Sequence, residues 1–309
     1  MAGRATPKPE RPMHGLQRRR HPPSVVTCES LSTLTAMSPF PITSRANPLI
    51  KELARLQKRK ERTARGTFLI EGAREVEGAV GNGVVIEKLL VAPDLLDGAR
   101  RVVVDRLRET LQIVEVGEGA FAALSRRQHP DGILAVARSS RHALSDLVLS
   151  DDPLLLVAEH IEKPGNLGAM LRTADGAGVD AVIVVDPLTD LENPNVIRAS
   201  QGSVFSVATA VATSAATMDF LRANHITVIA VTPHGPGELW DLDLTGPVAI
   251  AIGNENSGLG EGLLAAGLEA RIPMQGMADS LNSSVAAAVA LYEVVRQRRA
   301  KGIRSNGER

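Results

Sequence analysis

The sequence predicts an α/β protein, with a C-terminal domain built on a parallel sheet and a smaller α/β domain ahead of it. Three observations lead there. Apolar runs of strand length alternate with helical segments along most of the chain. A length of 309 residues with 44% hydrophobic residues is enough for two ordinary cores. Polar segments rich in glycine and asparagine directly follow several apolar runs, which is where open parallel sheets bind ligands.

Residues 1–40 are rich in Pro, Arg, Ser and Thr without periodicity and are expected to be a disordered tail. Met37 offers a second possible start. The single cysteine, Cys28, also lies here. One cysteine excludes an intrachain disulfide and a cysteine-built metal site, and it fits a reducing cytoplasm. Asn47 and Pro48 then read as the cap and first residue of a helix whose apolar face is Leu49, Ile50, Leu53 and Leu56. Strands are predicted over 67–70, 84–91, 112–116 and 132–137, with helices over 73–80, 99–111 and 119–124. Together these make a small domain over 41–138.

The polar stretch 139–151 reads as a linker. The second domain spans 152–300, followed by a short tail over 301–309. Its strands are predicted over 154–158, 181–185, 206–210, 227–231, 248–252 and 269–272. Its helices are predicted over 166–177, 195–201, 214–223 and 282–299. Alternation of this kind implies a mainly parallel sheet covered on both faces.

The chain carries 35 basic and 35 acidic residues. A zero total says nothing against nucleic acid, because only local charge acts at a contact. Locally the balance is uneven. From Arg45 to Arg65 there are eight basic residues (Arg45, Lys51, Arg55, Lys58, Arg59, Lys60, Arg62, Arg65) against two acids. A solvated helix face explains this as well as a phosphate-binding one does. Aromatic residues are 2% of the chain, so base stacking is not the expected mode and arginine–phosphate contact is. No run of eighteen apolar residues occurs, so no membrane span is expected, and no apolar stretch follows the basic N-terminus as secretion would require.

Four segments look unlike scaffold. The first, Glu162 to Thr173 (EKPGNLGAMLRT), follows a strand and opens a helix. Asn166 is placed to cap it, Gly168 allows close approach of another backbone, and Arg172 lies almost two turns in. Taken alone, a cap and a surface charge are the simpler reading. The second, Ile197 to Ser203, offers Arg198, Ser200 and Ser203 to a phosphate. The third, Ala251 to Gly260 (AIGNENSGLG), runs a strand into a loop with one carboxylate, Glu255. It is either an ordinary glycine-rich turn or a loop whose N–H groups meet a ligand. It is neither a dinucleotide fingerprint nor a P-loop. The fourth, Ile272 to Val285 (IPMQGMADSLNSSV), places Ser280, Leu281 and Asn282 at the start of the last helix. Asn282 also reads as a plain N-cap. Ile272, Met274 and Leu281 suit either the wall of a flat ring or the core.

In this order and spacing the segments resemble the SpoU (TrmH-like) branch of the SPOUT RNA methyltransferases. The motifs that carry the resemblance are N-x-G-A-x-x-R-T, the strand-to-GNE loop and IPM…SLNSSV. Residues 42–51 (ITSRANPLIK) and 66–72 (GTFLIEG) resemble the family's N-terminal substrate-binding domain, so only the first forty residues fall outside.

The resemblance implies a C-terminal trefoil knot, which no sequence pattern alone would reveal. It implies a homodimer with its active site near the subunit boundary. It implies S-adenosylmethionine as cofactor, in a pocket carried onto Thr232, Gly253, Ile272, Met274 and Leu281. The reaction implied is methyl transfer to an RNA ribose 2′-oxygen, with Arg172 catalytic, helped by Asn166, Glu255, Ser280 and Asn282. A guanidinium is permanently charged at working pH. Arg172 is therefore expected to hold a phosphate and stabilise developing alkoxide, with Glu255 orienting the hydroxyl or taking its proton. Arg45, Lys51, Arg55, Lys58, Arg59, Arg62 and Arg198 are the expected RNA contacts, and ribosomal RNA such as 23S is favoured over transfer RNA. The rivals are a non-catalytic RNA-binding member of the same fold and a nucleotide-dependent oxidoreductase. The absent glycine fingerprint speaks against the latter. Protection of a ribosome from an antibiotic would use the same chemistry.

Overall fold

The computed structural model describes residues 41–140 and 143–303. The expected tail, Cys28, Met37 and residues 304–309 lie outside the described residues.

The first part of the chain folds as α1 (Pro48–Arg55), α2 (Arg59–Arg65), β1 (Thr67–Glu71), α3 (Ala73–Gly81), β2 (Ile86–Val91), α4 (Gly98–Arg108), β3 (Ile113–Glu115), α5 (Glu118–Ala122) and β4 (Ile133–Arg138). The Asn47 side chain accepts from the Leu49 N–H at 2.9 Å and Pro48 fills the first helical position, so α1 starts as the sequence predicts. The strands form a mixed sheet in the order β1-β4-β2-β3, with β1 and β2 antiparallel to β4 and β3 parallel to β2. Alternation along β1 sends Leu69 to the α1 and α5 side, with Ile50, Leu53 and Phe121, and Phe68 and Ile70 to the other side.

The basic segment is two helices rather than one. Arg62 explains the break: its guanidinium donates to the carbonyls of Leu56 and Gln57 at 2.9 and 3.0 Å, satisfying acceptors that α1 leaves at its C-terminus.

The second part continues as β5 (Leu154–Glu159), α6 (Pro164–Ala177), β6 (Ala181–Val185), α7 (Pro194–Ser200), α8 (Ser203–Ser206), β7 (Thr209–Ala212), α9 (Ser214–Ala223), β8 (Thr227–Val231), β9 (Gly237–Glu238), β10 (Val248–Ile252), α10 (Glu261–Ala266), β11 (Leu268–Arg271) and α11 (Ser283–Ala300). All pairings are parallel, in the order β7-β6-β5-β10-β8-β11-β9. One face packs under α6 and α11 through Leu156, Val184 and Ile250 against Met170, Leu171, Leu291 and Val294. The other packs under α9 and α10 through Leu155, Ile183 and Ala249 against Leu221 and Leu263. With both faces covered, the strands read as unbroken apolar runs. No described helix is long and apolar enough to cross a membrane.

Two expectations are corrected. Residues 203–206, where the predicted strand 206–210 was to begin, form a helical turn, and the strand is Thr209–Ala212. Gln201 and Gly202 both take left-handed backbone (φ 53° and 89°), which ends α7 and restarts the chain as α8. There the Ser206 hydroxyl donates to Asp175 at 2.8 Å. The second correction concerns α6, which starts at Pro164, not Asn166; Asn166 sits inside the first turn and its side chain points elsewhere. Phe205 on α8 stacks on Phe68 of β1 with ring centroids 6.3 Å apart, and a single buried cluster runs from the first sheet into the second.

Candidate active site

Three chain segments meet at the carboxyl ends of β5 and β10. After β5 the chain turns at His160 (φ 53°) and enters α6 through Lys163 and Pro164. After β10 it enters the loop 253–260. The third segment, 272–282, leads into α11.

The middle loop requires its glycines. A Cβ on Gly253 would lie 2.2 Å from the Gly258 carbonyl, and Gly258 itself has φ 70°. Asn254 and Gly258 exchange backbone hydrogen bonds of 3.1 and 2.8 Å, and the Asn254 amide donates to the His160 carbonyl at 2.9 Å. The loop's far end is held by Glu159, 1% exposed, whose carboxylate accepts from the Gly260 N–H at 2.6 Å.

This scaffold aims Glu255 at the two helix starts. Its Oε1 accepts from the Asn166 amide at 2.9 Å and, more closely, from the Asn282 amide. Its Oε2 accepts from the Lys163 ammonium. Asn166 also donates to the Ser283 hydroxyl at 3.1 Å, and Asn282 to the Asn166 side-chain oxygen Oδ1 at 3.3 Å. The Asn282 oxygen meanwhile accepts from the Ser284 N–H at 3.1 Å, so the same side chain caps α11 and binds the carboxylate. The Lys163 ammonium holds the Glu255 carboxyl below the usual carboxylate range; partial burial opposes this and the Asn166 amide adds to it. At neutral pH Glu255 is an anion.

Beside Glu255 opens a cavity of about 530 Å³, within the range of ligand pockets. Its lining includes Thr232, Gly253, Ile272, Met274 and Leu281, together with Glu255, Ser280 and Asn282. Ile252, Leu259, Ile272, Met274 and Leu281 give apolar wall, and Thr232, Ser280 and loop backbone give polar wall. An adenosyl group carrying an amino acid fits this mixture in size and character. His234 and Asp279 also line the cavity, and Lys163 and Ser283 join the polar cluster; the sequence singles out none of the four as a site residue. Lys163 is adjacent to the proline that starts α6, but no local pattern marks it as a partner of residue 255.

Arg172 is not brought to this cluster. It lies six residues beyond Asn166 on α6, exposed, and its side chain makes no hydrogen bond among the described residues. The expected RNA contacts divide. Lys51, Arg55 and Lys58 are exposed. Arg45 donates to the Gly119 carbonyl at 2.8 Å, Arg59 to the Pro187 and Leu188 carbonyls at 3.3 Å each, and Arg198 to Asn195 at 3.2 Å. Arg62 is a correction: at 2% exposure, paired with Asp190 at 2.6 Å, it is structural and reaches no phosphate. Ser200 is likewise buried, donating to the Ile197 carbonyl, so it is not available to an anion.

Residues 153–292 match the SpoU rRNA Methylase family, and 47–135 match an MRM3-like substrate binding domain. The chain is 32% identical, over 82% of its own length and 98% of the relative's, to the 23S rRNA (guanosine(2553)-2'-O)-methyltransferase RlmP of Bacillus subtilis. It is 32% identical, over 83% and 92%, to a 23S rRNA (uridine(2479)-2'-O)-methyltransferase of Streptomyces viridochromogenes. Among solved structures, an RNA 2'-O ribose methyltransferase shares 46% identity at a TM-score of 0.75, covering 84% of this chain and 100% of that one. The AdoMet-bound rRNA methyltransferase from Sinorhizobium meliloti shares 30% at 0.75, covering 83% and 97%. The chain belongs to the SpoU rRNA methylase family, the S-adenosylmethionine-dependent RNA 2′-O-methyltransferases.

Proposed function

We propose that this protein methylates a ribose 2′-oxygen in 23S ribosomal RNA. The observation that carries the reading is the Glu255 carboxylate, gathered by Asn166, Asn282 and Lys163 beside the cavity. The names of the relatives supply the RNA. Thr232, Gly253, Ile272, Met274 and Leu281 hold the cofactor. Bound there, S-adenosylmethionine supplies a methyl carbon already activated by its sulfonium, which leaves alignment and proton handling to the protein. Glu255 orients the 2′-hydroxyl and takes its proton, with Ser280 beside it. Arg172 grips the phosphate next to the target ribose through its forked donors and stabilises the developing alkoxide.

A second copy of the chain completes the site. Arg172 lies about 9 Å along the helix from Asn166, at roughly 1.5 Å per residue. The outer face of α11 next to α6 exposes Val285 and Tyr292, and a Cβ on Gly176 of α6 would lie 3.2 Å from the Tyr292 hydroxyl. Apolar surface of this kind is suited to a homodimer. The reading includes a trefoil knot through which the 272–282 segment passes. The insertion of β10 between β5 and β8, and the return of α11 onto α6, support it. Residues 41–138, with Arg45, Lys51, Arg55, Lys58, Arg59 and, from the second domain (152–300), Arg198, contact RNA phosphates. The cytoplasm, where ribosomal RNA is found, is the compartment.

The test is incubation of the purified protein with tritiated S-adenosylmethionine and unmodified 23S or transfer RNA, followed by mapping. Label on a 23S ribose is expected. Label on a base, or on transfer RNA alone, overturns the proposal.

A further inference from the structure

Lys163 has a role in the methyl-transfer site that the motifs do not assign. Its side chain is 66% exposed while its partner Glu255 is 22% exposed, so the ammonium covers the solvent side of the carboxylate. The carboxylate's two oxygens are held differently. Oε1 takes both side-chain amides, Asn166 and Asn282, whereas Oε2 takes the lysine, and the Ser283 backbone N–H is a further donor to the carboxylate. The other groups around Glu255 are few. Glu162 and Ser283 border the recess between Lys163 and residues 254–256, and His234 and Asp279 line the cavity beyond.

A carboxylate bonded by an ammonium is a poor proton acceptor, yet a ribose hydroxyl needs one. Lysine is a mobile point charge with high affinity for phosphate, and the arriving RNA is a polyanion. Resting on the methyltransferase reading above, we propose that Lys163 is a substrate-released clamp: it holds Glu255 Oε2 until an RNA phosphate draws its ammonium away. The two amides and the Ser283 N–H then keep the carboxylate aimed while Oε2 is released from the ammonium. As the ribose oxygen bonds to the methyl carbon, the sulfur–carbon bond breaks with its electron pair left on sulfur, and the hydroxyl proton passes to Oε2. The clamp makes the base competent only when substrate is present. Lys163 is thus a positioning residue, acting through Glu255.

The full chain, Lys163→Met and Lys163→Arg are compared on an unmodified 23S transcript under steady-state conditions across pH. The acidic limb of kcat/KM reports the free enzyme and that of kcat the RNA complex. In the natural chain the kcat/KM limb should lie at lower pH than the kcat limb. In Lys163→Met the two should coincide at the kcat position, and Lys163→Arg should restore the gap. RNA binding read without catalysis should lose one phosphate contact in Lys163→Met, lowering the salt slope by roughly 0.7. A gap that survives in Lys163→Met, no gap in the natural chain, or an unchanged salt slope overturns the clamp. A natural chain that binds cofactor but methylates no RNA overturns the methyltransferase reading, and the clamp with it.

Discussion

The segment from Arg45 to Arg65 and the cluster around Glu255 are both rich in charge, and the protein uses that charge in opposite ways. In the first, much of the charge is answered within the fold. Arg62 is buried on Asp190 and the end of α1, Arg65 pairs with Glu52 and Glu61, and Arg59 rests on two carbonyls. In the second, three side-chain donors converge on one carboxylate and fix it beside a cavity, while Arg172 on the same helix as Asn166 is left exposed. Counting charges along a sequence therefore does not separate the buried Arg62 from the exposed Arg172. What marks a site is a charge the fold holds in place without neutralising its purpose, or one it leaves unpartnered.

Substitutions can break this comparison. The largest effect is expected at Arg172. Arg172→Ala should lower kcat by about 100- to 1,000-fold, the scale for losing one preorganised donor, with cofactor binding measured by calorimetry unchanged. Arg172→Lys keeping full turnover would count against the forked contact. Arg62→Ala should act on stability instead. Stranding Asp190 and two helix-end carbonyls is expected to cost about 3 kcal/mol in denaturant unfolding. A fall in RNA affinity at undiminished stability would reverse that assignment. Gly168→Ala should be milder, about 1–3 kcal/mol, because the added Cβ would lie 2.5 Å from that of Ala199 and 2.7 Å from the Val196 carbonyl, pushing α6 off α7. The smallest effect belongs to Lys51→Ala and Lys58→Ala. Each should weaken RNA binding without changing kcat and lower the salt slope by roughly 0.7 if it touches a phosphate.

What the sequence made legible was local. The start of α1 follows from Asn47 and Pro48, and the inner strands follow from runs such as Leu154–Glu159 and Val248–Ile252, which are apolar because both faces are covered. What it concealed was non-local. Arg62 is structural because of Asp190, far along the chain, and nothing within a helical turn of it says so. The shift from the predicted strand 206–210 to Thr209–Ala212 came from a left-handed pair, Gln201 and Gly202, of which only the glycine carries a conformational signal. Of the site, Asn166, Glu255 and Asn282 stand out as polar residues at strand and helix ends. Lys163 does not, since its meaning lies entirely in the carboxylate of a distant loop.

The register that sets Val248 beside Leu154 also bears on synthesis. A chain emerging from the ribosome completes β5 long before β10 exists, and in the finished sheet β10 covers one edge of β5 from Leu154 to Ala158. Until residue 252 has emerged, that edge presents open N–H and C=O groups to any passing strand. Parallel pairing across such a separation is slow to form, so refolding should be slow and sensitive to protein concentration. The arrangement that places Glu255 beside the cavity thus leaves the newborn chain dependent on whatever shields an unfinished sheet.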